Sequence, residues 1–245
     1  RIARAWCKKR YGAKRDQSTI EIMFTCEYCK RSFRREATLA AHTCEKKRRW
    51  LNREDKQVQL GYRAFQTFYK LATGATKDKT IREFCDSQYY GDFVKFGKYV
   101  DDNKIDPADK YVEFLIRESV KLSDWYSDRV LEMWIKRYLK SETVERGVER
   151  SILHMQDWAD TNSAMWSDYF NAVSGNRFVH MVQTGKISPW VIYTCDSAQA
   201  IIDRLNDEQV SRIAEFIDPE YWTHKTRHDR ASVGWAEEIW KEAGL

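Results

Sequence analysis

The sequence predicts a mainly α-helical protein in which a small ββα unit is followed by a larger all-α domain. Apolar residues recur at intervals of three and four over residues 57–245, which is the period of core-facing helices. Each of the 3 prolines follows a residue that commonly caps a helix N-terminus. Only 10 of the 245 residues are glycine and no alternating strand pattern follows residue 35, so an all-β fold is not expected.

Three stripes of apolar residues identify the clearest helices. The helix that carries the third stripe is predicted to continue toward Phe170. Together with weaker patterns between them, the stripes predict about eight to ten helices of usual length in residues 57–245. The first stripe is Val58, Tyr62, Phe65 and Tyr69, the second is Leu131, Trp134, Ile135, Tyr138 and Leu139, and the third is Val144, Val148, Ile152, Met155 and Trp158.

Capping residues predict where several helices begin. A capping residue before proline is a start signal, because the amide that proline lacks has no partner in the first helical turn. Capping boxes pair a capping side chain with Glu or Gln three residues later. The predicted starts are Asp106-Pro107, Ser188-Pro189 and Asp218-Pro219, and the predicted boxes are Thr80 with Glu83 and Asn206 with Gln209.

Charge divides the chain unevenly. Residues 1–56 hold 17 Lys or Arg against 7 Asp or Glu, whereas residues 57–245 hold 25 against 30. Such a split is expected when one end of a protein meets a polyanion and the other does not. The predicted segments are a basic N-terminal arm at 1–20, a metal-binding unit at 21–46, a charged linker or helix at 47–56 and an all-α domain at 57–245.

Membrane insertion and export are not expected. No run of about 18 apolar residues occurs, and no signal-peptide pattern opens the chain. Three of the 6 cysteines cluster, while Cys7, Cys85 and Cys195 are scattered, which suits metal binding in a reducing compartment better than a disulfide framework. We therefore expect an intracellular protein, in the cytoplasm or on the nucleoid, with association with a virion as the alternative.

The clustered cysteines have the spacing of metal ligands. Cys26 and Cys29 flank a two-residue turn from which a hairpin presents two thiolates, and His42 follows on a short helix. Cys44 is the predicted fourth ligand, with Cys7 or a distant histidine as alternatives. Residues two apart diverge around a helix, so we predict that the helix ends or tightens at about His42 and turns Cys44 back to the metal.

The spacing of these residues resembles that of the Cys2His2 zinc-finger family over residues 22–46. It departs from the family at Cys44, because a second histidine is expected three to five residues after the first. The resemblance implies a ββα fold around Zn²⁺, whose small apolar core cannot hold the fold without metal. The residues that carry it are Phe24, Cys26, Cys29, Phe33, Leu39 and His42.

The basic residues predict contact with nucleic acid, and DNA is the preferred candidate. In this family the helix positions of Arg35, Thr38 and Ala41 read bases, and one finger covers about three base pairs. We therefore expect phosphate contacts with little sequence preference. The predicted contact residues are Lys8, Lys9, Arg10, Lys30, Arg31, Arg34, Arg35, Lys46, Lys47, Arg48 and Arg49.

These observations favour a non-enzymatic nucleic-acid-binding protein whose acidic helical domain docks a protein partner. The alternative is a structural or assembly component, such as a virion protein, whose finger contacts other proteins. No phosphate loop or nucleophile elbow occurs and no small-molecule substrate is indicated. A weaker alternative is a Mg²⁺-dependent nuclease that uses Asp157, Asp160 and Asp168. A single finger before a compact helical body is similar in layout to bacteriophage accessory proteins, although no motif carries that similarity.

Overall fold

The computed structural model describes residues 23–245. The predicted basic arm at 1–20, with Lys8, Lys9 and Arg10, lies outside the described residues, as does the alternative ligand Cys7.

The described chain begins with the predicted ββα unit. Strand β1 (Phe24–Thr25) pairs antiparallel with β2 (Ser32–Phe33), so that Phe24 lies opposite Phe33. Helix α1 (Glu36–Ala41) follows, and after a three-residue break α2 (Glu45–Leu51) begins. The predicted fold class, a small ββα unit followed by helices, is confirmed.

The rest of the described chain is helical, with three short 3-10 turns at Leu122–Asp124, Trp166–Asp168 and Asp196–Ala198. Thirteen α-helices occur where about eight to ten were predicted, because four of them are only four to six residues long, shorter than a periodic pattern needs for detection. The helices are α3 (Lys56–Thr73), α4 (Ile81–Asp86), α5 (Tyr90–Asp102), α6 (Ala108–Arg117), α7 (Asp128–Ser141), α8 (Val144–Asn162), α9 (Tyr169–Ala172), α10 (Gly175–Gln183), α11 (Pro189–Thr194), α12 (Gln199–Ile202), α13 (Asp207–Ile217), α14 (Pro219–His228) and α15 (Arg230–Glu242).

One continuous apolar core runs through the helices after residue 57. The three predicted stripes face it: Phe65, Leu139 and Met155, one from each stripe, are at most 2% exposed. Helices α3 and α5 cross so closely at Gly61 and Gly97 that a Cβ atom on either glycine would overlap backbone atoms of the other helix. These two glycines therefore set the distance between the helices.

Two of the three predicted proline starts are confirmed, and so are both capping boxes. The Ser188 and Asp218 side chains accept hydrogen bonds from the amides of Trp190 and Tyr221, whereas Asp106 does not cap α6. Pro107 itself has the extended backbone of the N-cap residue, which places Asp106 one residue too early.

The predicted continuation of the third stripe toward Phe170 is wrong. Helix α8 ends at Asn162, where Ser163 takes a left-handed backbone conformation with φ 51°. The side-chain amide of Asn162 also donates to the Trp158 carbonyl at 2.6 Å, one turn back along the helix. Among residues 23–245, no helix combines the length and apolar character needed to cross a bilayer.

Candidate metal centre

The first two ligands lie on a tight knuckle between the strands. The Cys26 amide donates to the Arg31 carbonyl at 2.9 Å, and the Lys30 amide donates to the Cys26 carbonyl at 2.9 Å. Lys30 has φ 60°, the left-handed conformation that lets the chain reverse within so few residues. The turn brings the Cys26 and Cys29 sulfurs to one side of the hairpin.

The other two ligands lie at the break between α1 and α2. Helix α1 ends at Ala41, and His42 has extended angles of φ −72° and ψ 118°. Cys44 is also extended and is the N-cap residue of α2, where its sulfur accepts the Lys47 amide at 3.4 Å. The predicted end of the helix at His42 is confirmed, and it turns the Cys44 side chain back toward the hairpin.

The four predicted donors come together. Sγ of Cys26, Cys29 and Cys44 and a ring nitrogen of His42 all lie within 4.8 Å of one another. Cys29 Sγ is 3.2 Å from His42 Nε2, and Cys26 Sγ is 4.0 Å from Cys44 Sγ. A tetrahedral ion bound at about 2.0–2.3 Å needs donors about 3.5–3.8 Å apart, so these residues fit one ion in a zinc-finger-like site.

The electrostatics of the thiols also suit a bound cation. The pKa of Cys26 is lowered, first because the Cys29 amide donates to its sulfur. The pKa of Cys29 is raised: the Arg31 amide lowers it, but burial and the neighbouring Cys26 and Cys44 sulfurs outweigh that effect. Several thiolates crowded together repel one another, and a divalent ion removes that repulsion.

Apolar packing inside the finger is slight. The ring of Phe33 lies 4.7 Å from that of His42, and Phe24, Phe33 and Leu39 are all only half-buried. Cys26, 3% exposed, is the one ligand that is fully buried. So small a core supplies little stability without the ligand bonds to a metal.

Arg49 fastens the finger to the helical body. Its guanidinium donates to the carbonyls of Cys85 at 3.3 Å and Ser87 at 3.0 Å, both at the end of α4, and lies over the ring of buried Tyr90 at 4.6 Å. Glu45, one turn earlier on α2, pairs with the same guanidinium at 3.1 Å. Helix α2 is therefore held to the body at its C-terminal end and to the metal donors at its N-terminal end.

A second contact joins the knuckle to the body through cation–π interactions. The Arg82 guanidinium on α4 lies 5.6 Å from the ring centre of Tyr28 and 5.3 Å from that of Trp50. Arg53 lies over the same Trp50 ring at 4.6 Å. This contact was not predicted from the sequence. Its one signal was an isolated tryptophan beside a run of cations.

The predicted phosphate-contacting residues have different surroundings. Lys46 pairs with Asp86 at 3.1 Å, the Lys47 ammonium donates to the His42 carbonyl at 3.3 Å, and Arg48 pairs with Glu45. Together with Arg49, all four residues of the predicted run at 46–49 therefore have partners within the protein.

The cationic side chains of the finger itself are more exposed to solvent than those of the run at 46–49. Lys30, Arg31, Arg34 and Arg35 are exposed. Lys30, Arg31 and Arg35 form no ion pair with another residue between 23 and 245, and Arg31 lies 5.6 Å from the ring centre of Phe33. The finger therefore presents cationic side chains to solvent.

No second cluster of at least three metal-ligand side chains occurs in the described part of the chain, so Asp157, Asp160 and Asp168 do not assemble one. Comparison with protein-family models, curated proteins and solved structures found no match to this chain. The assignment of the site therefore rests on its own donor chemistry and geometry.

Proposed function

We propose that the chain is a non-enzymatic zinc-finger protein that binds nucleic acid through phosphate contacts and docks a protein partner through its acidic helical body. Three sulfurs and one imidazole within 4.8 Å of one another are the donor set that Zn²⁺ prefers. When bound, zinc holds the hairpin, α1 and the start of α2 in one arrangement. The cations on these elements are then held in fixed positions.

The observation that carries the nucleic-acid proposal is the exposure of Lys30, Arg31 and Arg35, none of which pairs with an acidic side chain between residues 23 and 245. Such cations are free to replace the counterions of a phosphate backbone. Lys46 and Arg48 are exposed members of surface ion pairs, which are worth little and are easily exchanged for a phosphate. Arg49 is committed to the body, so we exclude it from the proposed contact surface.

The second candidate function is structural, and the position of Arg49 favours it. A finger that is fastened to its own body by partly buried hydrogen bonds to carbonyls can serve as a clip that fixes the N-terminal segment for assembly with other subunits. In that case the exposed cations meet acidic protein rather than phosphates. The two functions differ in whether the isolated chain binds nucleic acid.

Fluorescence anisotropy with labelled DNA and the zinc-loaded chain separates the two candidates. The triple variant Lys30→Gln, Arg31→Gln, Arg35→Gln should reduce the slope of log K against log salt by about two to three. The control carries the same charge change on α14 and α15, as Arg227→Gln, Arg230→Gln, Lys241→Gln, and should bind like the wild type. No DNA binding even at low salt favours the structural function, and DNA cleavage when Mg²⁺ is added contradicts a non-enzymatic role.

A further inference from the structure

The side chains that join the finger to α4 form a surface of a different kind from the finger's cations. Arg82 bridges Tyr28 and Trp50, with its guanidinium within 6 Å of both ring centres. Arg53 lies in the loop between α2 and α3, and its guanidinium lies over the Trp50 ring. Two aromatic rings and two guanidinium groups therefore form one cluster of contacts, and we call these four residues the stacking surface.

The stacking surface remains accessible. Arg82 is exposed, and the Tyr28 and Trp50 rings are only half-buried. Arg82 forms no ion pair with any residue between 23 and 245, whereas Arg53 pairs with Glu54 at 3.2 Å. An exposed guanidinium that contacts aromatic rings keeps N–H donors for another planar or anionic group.

The charges around this surface favour an anionic ligand. Lys30 follows Tyr28 by two residues on the knuckle, and Lys46 lies on α2 beside the end of α4. Of the nearby carboxylates, Glu83 caps α4 and pairs with Lys79, Asp86 pairs with Lys46 and Glu54 pairs with Arg53. Glu27 lies against the Tyr28 hydroxyl. Planar groups with cations beside them match a ligand that carries flat rings on a phosphate backbone.

From this geometry we infer that the protein binds single-stranded nucleic acid, with unpaired bases stacked on the Tyr28, Arg53, Arg82 and Trp50 surface and phosphates on the finger cations. In a duplex the faces of the bases are covered by their neighbours, whereas each unpaired base offers a face to an aromatic or guanidinium plane. This inference rests on the proposed nucleic-acid function and adds the class of nucleic acid. DNA and RNA share this chemistry, so the experiment includes both.

The test compares a 12-nucleotide oligo(dT), a 12-nucleotide oligo(rU) and a 12-base-pair DNA duplex on the full zinc-loaded chain at one salt concentration. At least one single strand should bind more tightly than the duplex. Arg82→Gln should weaken single-strand binding about fivefold or more and leave duplex binding nearly unchanged, since a stacked base contributes about 1–3 kcal/mol. Arg230→Gln, the same change at an exposed arginine on α15, is the matched control.

Tryptophan fluorescence adds a second measurement, because quenching of the emission reports base stacking and does not depend on charge alone. Oligo(dT) should quench the wild-type emission, and Trp50→Phe should remove most of that quenching while it keeps affinity within about threefold, because phenylalanine still offers a ring face. Tyr28→Phe should likewise retain binding and Tyr28→Ala should lose it, with circular dichroism confirming that both fold.

Two results have distinct meanings. Equal affinity for duplex and single strand, together with no effect of Arg82→Gln, overturns the stacking inference and leaves the proposed phosphate contacts standing. Failure of all three oligonucleotides to bind overturns the proposed nucleic-acid function itself.

Discussion

The Cys44 sulfur accepts a hydrogen bond from the backbone amide of Lys47 at 3.4 Å, and the same sulfur is one of the four metal donors. One side chain thus completes the metal site and caps helix α2. The resembled family has its fourth ligand three to five residues after the third, a spacing that one helix can present on one face. Here the candidate fourth ligand lies at the start of the next helix, so an ion bound at this site would be coupled to the N-terminus of α2.

Substitutions at Cys44 separate its two roles. Cys44→Ser keeps an oxygen that caps α2 but is a poor zinc ligand, whereas Cys44→Ala removes both functions. Zinc affinity should fall in both variants by at least the 10–100-fold loss that removal of a supporting residue typically causes. Metal-free Cys44→Ser should then be more stable than metal-free Cys44→Ala by about 1 kcal/mol. Zinc competition with a chelating dye and urea unfolding measure the two effects, and unchanged zinc affinity in Cys44→Ser removes Cys44 from the ligand set.

Arg49 and Arg48 are neighbours whose substitution should change stability by very different amounts. Arg49→Gln removes charged hydrogen bonds to two carbonyls and the cover over Tyr90, so the free energy of unfolding should fall by about 1.5–3 kcal/mol. Arg48→Gln removes only an exposed ion pair with Glu45 and should change it by less than about 0.5 kcal/mol. Chemical denaturation measures both, and equal stability of the two variants contradicts the docking role of Arg49.

Gly97 should tolerate no larger residue. A Cβ atom there would overlap the Gln57 carbonyl on α3, so Gly97→Ala must push α3 and α5 apart and should cost about 1–3 kcal/mol or more. Gly234 in α15 is the matched control, because a Cβ atom there meets nothing within 4 Å. Gly234→Ala should stabilise the protein by about 0.4–1 kcal/mol by restricting the unfolded chain. The order of the two melting temperatures checks this prediction, and a stabilising Gly97→Ala contradicts the close crossing.

His154 should make stability depend on pH. Burial lowers its pKa to about 4, the positive charge of Arg177 adds to that effect, and Asp157 opposes it. The neutral ring packs edge-on against Tyr169 at 5.7 Å between centroids.

Because an unfolded histidine titrates near about 6.5, its contribution is fully present above that pH and is lost as pH falls toward 4. The loss should be no more than about 1–2 kcal/mol, since the ring is only partly buried. His154→Phe keeps the ring contact and should show a weaker decline in urea midpoint between pH 6.5 and 4. An imidazole pKa near 6.5 by NMR contradicts the prediction.

Local chemistry made the metal donors and the capping boxes predictable from the sequence. Cys26, Cys29 and His42 follow from spacing, and the end of α1 follows because His42 and Cys44 cannot share a helical face. The short helices α9 and α12 were not predictable, because four residues hold little more than one turn of periodic pattern.

The attachment of the finger to the body depends on residues far apart in sequence. Because Arg49 lies in a run of cations, the sequence suggests that its side chain is solvated. Its hydrogen-bond partners are instead backbone carbonyls 36 and 38 residues away. Every residue has a backbone carbonyl, so the sequence does not show which carbonyl will accept a side-chain hydrogen bond. The same is true of Gly97, whose tight neighbour is the Gln57 backbone. These contacts depend on the tertiary arrangement, which residue types alone do not encode.

The number of residues between Cys44 and Arg49 is itself a structural requirement. Both ends of this interval are fixed, one at the metal donors and the other at the end of α4, and helix α2 joins them without a loop. Each added helical residue advances the chain about 1.5 Å and turns it by about 100°. One alanine inserted after Lys46 would therefore rotate the finger by more than a quarter turn relative to the body, although every ligand and every docking side chain were retained.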